Sequence, residues 1–263
     1  NSGTLNYSGS SAQYHGGFFT TYDIKRTAGG SGRLRFNSAD EYTILNSITV
    51  DSGQYARFST ENGDNIANLG DDDHQCTITN NGVFTFYQFG STDLSLRGGS
   101  KLKPFVWAGT APTWDKTAGA GYIELQDADF SFGDITTPGI TDLTIWMTGD
   151  CKFDSLTLTA ADTIQLNNQR LEFSDRFDLN GYFYASGMMV FTGANVLDDD
   201  GDLYHPEALT MIQQGTANAT IDFHASTKTL FYNQPGDTCT ATSNRYATQH
   251  IIGAGTWQGN GAS

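Results

Sequence analysis

The side chains best suited to chemistry in this chain are carboxylates crowded into short polar stretches. The densest is Leu197-Asp198-Asp199-Asp200-Gly201-Asp202-Leu203. With Gly201 at the sharp bend of a twelve-residue calcium loop, Asp198 and Asp200 fall on the third and fifth ligand positions, Leu203 on the hydrophobic eighth and Glu207 on the bidentate twelfth. Asp198, Asp200, Asp202 and Glu207 are therefore the candidate metal ligands, and Ca2+ is the ion such hard oxygen donors would hold. The first position of that loop is Val196, which brings no carboxylate, and the flanks do not read as two helices. The plain alternative is a solvated acidic turn. A second acidic group joins Glu61-Asn62-Gly63-Asp64 to Gly70-Asp71-Asp72-Asp73-His74. Glycoside hydrolysis needs two carboxyls roughly 5–10 Å apart across a cleft. Neighbours in one loop rarely meet that need, because alternate side chains diverge.

Other reactive types are scattered. His15, His74, His205, His224 and His250 never pair at metal-ligand spacing, so zinc has no basis in the sequence. Cys76, Cys151 and Cys239 are widely spaced and odd in number, which excludes a disulfide-dense scaffold and a CxxC site and allows one bridge at most. Cys151, beside Phe153, reads as core filler. No Gly-x-Ser-x-Gly elbow occurs, and no glycine-rich phosphate loop opens a helix. Trp146 belongs to a core strand, and Trp107, Trp114 and Trp257 read as packing or subunit-contact residues. No catalytic or cofactor-binding residue is assigned, and the chain is expected not to be an enzyme.

Charge narrows the partners. The 263 residues carry 14 Lys+Arg against 29 Asp+Glu, a net −15. Such a field repels phosphate unless a basic stripe is present, and the densest basic stretch, Arg33 to Arg35, holds only two charges. Nucleic acid is excluded as a partner. Charged residues make up 16% of the chain, below the roughly 25% of ordinary domains, and 13% aromatics argue for a folded body. No apolar run approaches the ~18–20 residues of a membrane span. The chain opens on Asn1 and not on Met, which reads as a processed or trimmed start. Asn6-Tyr7-Ser8 and Asn218-Ala219-Thr220 match the glycosylation sequon.

The elements that must position these residues are strands. Gly, Thr, Ser and Asn interrupt nearly every helical window, and one helical turn is expected, over Pro206–Ile212. Alternating apolar stretches such as Tyr42–Val50, Val83–Phe89 and Leu143–Met147 predict an all-β protein. Apolar-x-apolar triplets then recur near every twentieth position. Ile123-Glu-Leu125 is followed by Leu143-Thr-Ile145 and Ile164-Gln-Leu166, and Leu156-Thr-Leu158 by Phe177-Asp-Leu179. That period matches a parallel β-solenoid over about residues 120–195, whose coils lay triplet over triplet. The longer strands before Gly119 suggest additional β-sandwich-like structure. Composition divides the chain into a Gly/Ser/aromatic N-terminal arm (1–38), a β-rich portion (39–118), a β-solenoid-like portion (119–252) and a Gly-rich tail (253–263).

Ser155-Leu-Thr-Leu-Thr159, Ile164-Gln-Leu-Asn-Asn168 and Arg176-Phe-Asp-Leu-Asn-Gly181 resemble the short-triplet repeats of phage structural proteins and autotransporter-type β-helices. The resemblance implies a rigid, protease-resistant surface or assembly component and carries over no catalytic residue. Gly70-Asp71-Asp72 is similar to the Gly-Asp-Asp segment of β-helix polygalacturonases. Their companion Gly-His-Gly and Arg-x-Lys signatures are missing, since His15 precedes Gly16-Gly17 without a glycine before it and Ile24-Lys25-Arg26 does not fit. The expectation is a non-enzymatic structural or assembly protein of a virion or extracellular surface, such as a capsid decoration, spike, fibre or filament subunit. It would self-associate as a homo-oligomer, with a capsid protein or surface glycan as further partner. The alternative is a carbohydrate-binding or polysaccharide-degrading β-helix.

Overall fold

Apolar residues recur at every second position along much of this chain, and each such stretch is a strand with one buried row. In Val83–Gln88, Phe84 and Phe86 are fully buried while Val83 is exposed. In Thr144–Met147, Ile145 and Met147 face inward and Trp146 outward. A side-chain period of two leaves no other arrangement when one face is covered. The computed structural model describes residues 3–9, 19–27, 32–36, 41–117, 119–137, 143–184 and 186–192, and beyond them the backbone of 13–15, 196–199, 202–204, 209–213, 219–222, 230–233, 238–241, 250–253 and 256–259. The protein is all-β, and the described strand pairings are parallel in a solenoid-like arrangement. No helix of the described residues is long and apolar enough to cross a membrane.

The chain divides into two compact units, Asn1–Phe132 with Thr141–Asp150, and Gly133–Ile140 with Cys151–Ser263. In the first unit each coil lays down three faces. Parallel register stacks Tyr42, Ala67, Leu96, Leu125 and Met147 on the first face. It stacks Ile24, Ile48, Ile78 and Trp107 on the second. The third face is a five-stranded sheet of Gln13–His15, Arg33–Phe36, Tyr55–Ser59, Val83–Gln88 and Thr113–Lys116, with Phe36, Phe58, Phe86 and Trp114 in one inward row. The rings meet directly: Phe36 to Phe58 at 4.9 Å between centroids, Phe58 to Phe84 at 5.1 Å, Phe84 to Trp107 at 5.2 Å. Burying each such side chain contributes about 1.5–3 kcal/mol, and each ring pair about 0.5–1.5 kcal/mol more.

In the second unit Phe153, Phe173 and Phe191 stack in register, as do Leu156, Phe177 and Leu197. Phe173 lies 4.8 Å from Phe177, so these two rings share one core.

Four expectations change. The sandwich-like strands expected before Gly119 are further parallel coils. The length of Glu41–Val50 arises because it turns a corner, residues 41–44 pairing with Asn65–Leu69 and residues 47–50 with Thr77–Asn80. Asp23 Oδ1 holds that corner, accepting from Asn46 Nδ2 at 2.8 Å and Ser47 Oγ at 2.6 Å. Secondly, Ile123-Glu124-Leu125 pairs with Ile145-Trp146-Met147 and not with Leu143-Thr-Ile145. A slip of two residues keeps every side chain on its face, so hydrophobic pattern alone does not distinguish the two registers. The Leu156/Phe177 pairing is as expected. Thirdly, no helical turn covers 209–212: Leu209–Gln213 is a strand beside Gly187–Phe191, while 206–208 lie outside the described residues. Finally, the alternating stretch Lys101–Trp107, which predicts a strand, forms one only from Phe105, in Phe105–Gly109, because Ser100 and Lys103 close a tight turn over 101–102.

Among the described residues of 1–38, four strands belong to the first unit, with Ile24, Leu34 and Phe36 fully buried. In the C-terminal segment, Thr256–Gly259 pairs with Thr238–Ala241.

Candidate functional site

Parallel register sets equivalent positions above one another, so outward polar side chains gather in rows that the linear sequence scatters. On the first face Thr43, Asn68, Arg97 and Gln126 form such a row. It floors a groove of about 390 Å³ walled by Gly70, Asp71, Asp72, Gly98 and Gly99. The wall explains the Gly-Asp-Asp segment. Gly70 has φ +104°, and a Cβ there would run into the His74 carbonyl oxygen. Asp71 Oδ1 accepts from the backbone N–H groups of Asp73 (2.9 Å) and His74 (2.7 Å) and pairs with His74 Nδ1 at 2.8 Å. Slight burial pushes the Asp71 carboxyl up, but these hydrogen bonds outweigh it and leave the carboxyl below its usual value. Asp71 closes a turn, and Asp72 and Asp73 point to solvent.

A carboxylate that sequence reading passed over sits beside this groove. Glu124 is the middle residue of an apolar triplet, points outward, and is nonetheless only 7% exposed. Its Oε2 accepts from Ser95 Oγ at 2.5 Å and Arg97 Nη2 at 2.9 Å, and its Oε1 from Thr148 Oγ1 at 2.7 Å. Desolvation raises its pKa, and the three side-chain donors, two on Leu94–Gly98 and one just past Thr144–Met147, lower it further than that. Asp127 behaves oppositely. It is 6% exposed with φ +50°, accepts one backbone N–H from Asp150 at 3.2 Å, and is raised by burial. The Asp150 charge adds to that rise. Among the described residues no three His, Cys, Asp or Glu side chains converge to hold a metal.

The calcium candidates are only partly placed. Asp198 lies in strand Val196–Asp199, in register between Asp178 and Asp222, and Asp202 opens strand Asp202–Tyr204 beside Tyr182. Asp200, Gly201 and Glu207, and the side chains of Asp198 and Asp202, lie outside the described residues. Of the other acidic group, Asp64 Oδ1 accepts the Asp93 backbone N–H at 2.9 Å, and Glu61 pairs with Arg57 and, at 3.8 Å, with Arg35. Trp107 and Trp114 are buried packing residues, and Trp146 lies against Tyr122 on the outside at 4.9 Å. Cys151 is buried at 3% exposure. The Cys76 thiol is buried and free, and its pKa is pushed far up by desolvation and then by Asp23. His205, His224 and the side chains of His15, Cys239, His250 and Trp257 lie outside the described residues.

The third face carries a patch that residue counting along the chain missed. Arg33, Tyr55 and Val83 form one outward row, and Arg35, Arg57 and Thr85 the next. Arg57 thus joins the two charges at Arg33 and Arg35, though 22 positions separate it from Arg35 in sequence. The offset of one coil was the available signal. The Arg33 guanidinium lies 5.8 Å from the Tyr55 ring centroid and that of Arg57 4.9 Å from Tyr87, both within cation–π range.

Buried polar side chains are tied to the turns. Asn65 Nδ2 donates to the carbonyls of Phe36 (2.8 Å) and Ser59 (2.9 Å), and Gln88 Nε2 to those of Gly90 and Thr92 (both 2.7 Å). Asn80 Nδ2 donates to Thr110 O at 2.9 Å and Lys116 Nζ to Gly121 O at 3.0 Å. Arg26, fully buried, donates to the carbonyls of Tyr7, Gly9 and Gly32. No family model, curated protein or solved structure matches the chain.

Proposed function

We propose that this protein is a non-enzymatic structural or assembly component of a virion or extracellular surface structure, a decoration, spike, fibre or filament subunit that works through a rigid β scaffold and contacts with further copies of itself. One observation carries the reading. The polar groups buried in the first unit, Arg26, Asn65, Asn80, Gln88 and Lys116, each bond a backbone carbonyl in a turn or at the end of a strand. Interior hydrogen bonds of this kind stiffen loops that would otherwise move. A protein whose interior chemistry is committed to holding its own corners is suited to act by shape. A stack of parallel coils also ends in strand edges, which need cover and which subunit contacts supply.

The test is sedimentation of the purified chain at micromolar concentration, with limited proteolysis alongside. A discrete multimer that resists protease supports the proposal; a clean monomer at that concentration overturns it. Imaging of the native particle or filament then identifies the assembly.

A further inference from the structure

We infer that the outward side of the five-stranded third face is a binding site for an acidic saccharide, a sugar ring bearing a carboxylate. The inference goes beyond the assembly reading and does not depend on it. The site is a cleft of about 220 Å³ lined by Arg33, Tyr55, Arg57, Val83, Thr85 and Asp115. A volume of that order suits one sugar ring, below the ~300–1,000 Å³ of drug-sized pockets.

Its walls combine the two chemistries such a ring needs. Tyr55 is 43% exposed and Val83 42%, an apolar floor on which the C–H face of a sugar packs. Arg33 is an exposed cation over the Tyr55 ring and, among the described residues, has no carboxylate partner, in a chain where acids outnumber bases two to one. A guanidinium beside an aromatic platform takes a carboxylate through paired N–H donors while the ring stacks. Arg57, held by Glu61 and Tyr87, is a fixed second positive group, and Thr85 and Asp115 offer partners to sugar hydroxyls.

Charge favours a small occupant at this cleft. The chain carries net −15, which repels any large anion at long range. A short saccharide with one charge per ring meets far less of that repulsion and is attracted where guanidiniums concentrate.

The experiment is isothermal titration of the full chain with short oligomers of galacturonate, glucuronate and mannuronate and with sialyllactose, each beside its neutral methyl ester. At least one acidic form binds, its ester binds about tenfold more weakly or worse, and Arg33→Ala and Tyr55→Ala each weaken binding by a similar factor at unchanged melting temperature. Absence of binding across the panel, equal binding of acid and ester, or binding untouched by both substitutions overturns the inference. If Arg33→Ala changes the oligomeric state while no saccharide binds, the face is a contact between copies and the saccharide reading fails. A monomeric wild type that binds an acidic sugar overturns the assembly reading and leaves this one standing.

Discussion

Asn65 Nδ2 reaches across one coil to the Phe36 carbonyl, 29 positions earlier, at 2.8 Å, with no part of Asn65 exposed. The same amide donates to Ser59 at 2.9 Å, so one side chain ties two successive corners of the third face. Burial also pushes the phenol of neighbouring Tyr42 well above its usual pKa, with Asn65 acting in the opposite sense.

Asn65→Ala removes two buried side-chain-to-carbonyl hydrogen bonds, and each lost bond costs about 0.5–1.5 kcal/mol or more. The expected result is a lowered urea midpoint. Asn68→Ala, three residues along and bonded to Glu41 at an exposed site, should stay within about 0.5 kcal/mol of the parent. Equal midpoints for the two variants would refute the tie.

Glu124 and Asp127 make opposite contributions to stability against pH. The folded Glu124 carboxyl lies below its ordinary value of 4.5, so its stabilisation is present above that pH and is lost as pH falls through the lower folded value. Asp127 lies above its ordinary 3.8, so its contribution is favourable below that pH and is lost as pH rises through the higher folded value. Glu124→Gln should flatten the acid limb of a plot of unfolding free energy against pH. Asp127→Asn should raise stability near pH 7, with the gain vanishing under strong acid where both side chains are neutral. Denaturant titrations between pH 2 and pH 8 read both slopes.

Gly70 and Asp72, the two ends of the Gly-Asp-Asp segment, should answer differently to alanine. Gly70→Ala meets both the φ of +104° and the His74 carbonyl, and should cost more than about 1 kcal/mol. Asp72→Ala, at an exposed turn position, should fall within about 0.5 kcal/mol of the parent. A large loss for Asp72→Ala with none for Gly70→Ala would show that the segment is there for its carboxylates after all.

How far residues and spacing led is clearest at particular elements. Leu156 and Phe177 were legible as partners, because a repeat of apolar-x-apolar triplets near every twentieth residue suits stacked parallel coils. Ile123 was matched two residues away from Ile145, its true partner, because both registers bury the same face. Trp146 was placed in a core strand, and the strand is one, but the side chain between Ile145 and Met147 points outward. Glu124 was invisible as a buried carboxylate: its cover comes from Ser95, Arg97 and Thr148, on neighbouring coils.

What this chain settled by its residues alone is the class of structure and its field. Alternation of apolar and polar side chains makes strands, the recurrence of triplets makes coils, and an excess of acids makes the surface anionic, all properties of local order or composition. Tertiary structure alone decided which outward residues become neighbours. Stacking brings side chains one coil apart in the chain to within a strand spacing, roughly 4.8 Å, so Arg57 comes to lie beside Arg35. Such a row depends on the length of each coil's turns, and turn length varies along this chain while the alternation that makes the strands does not.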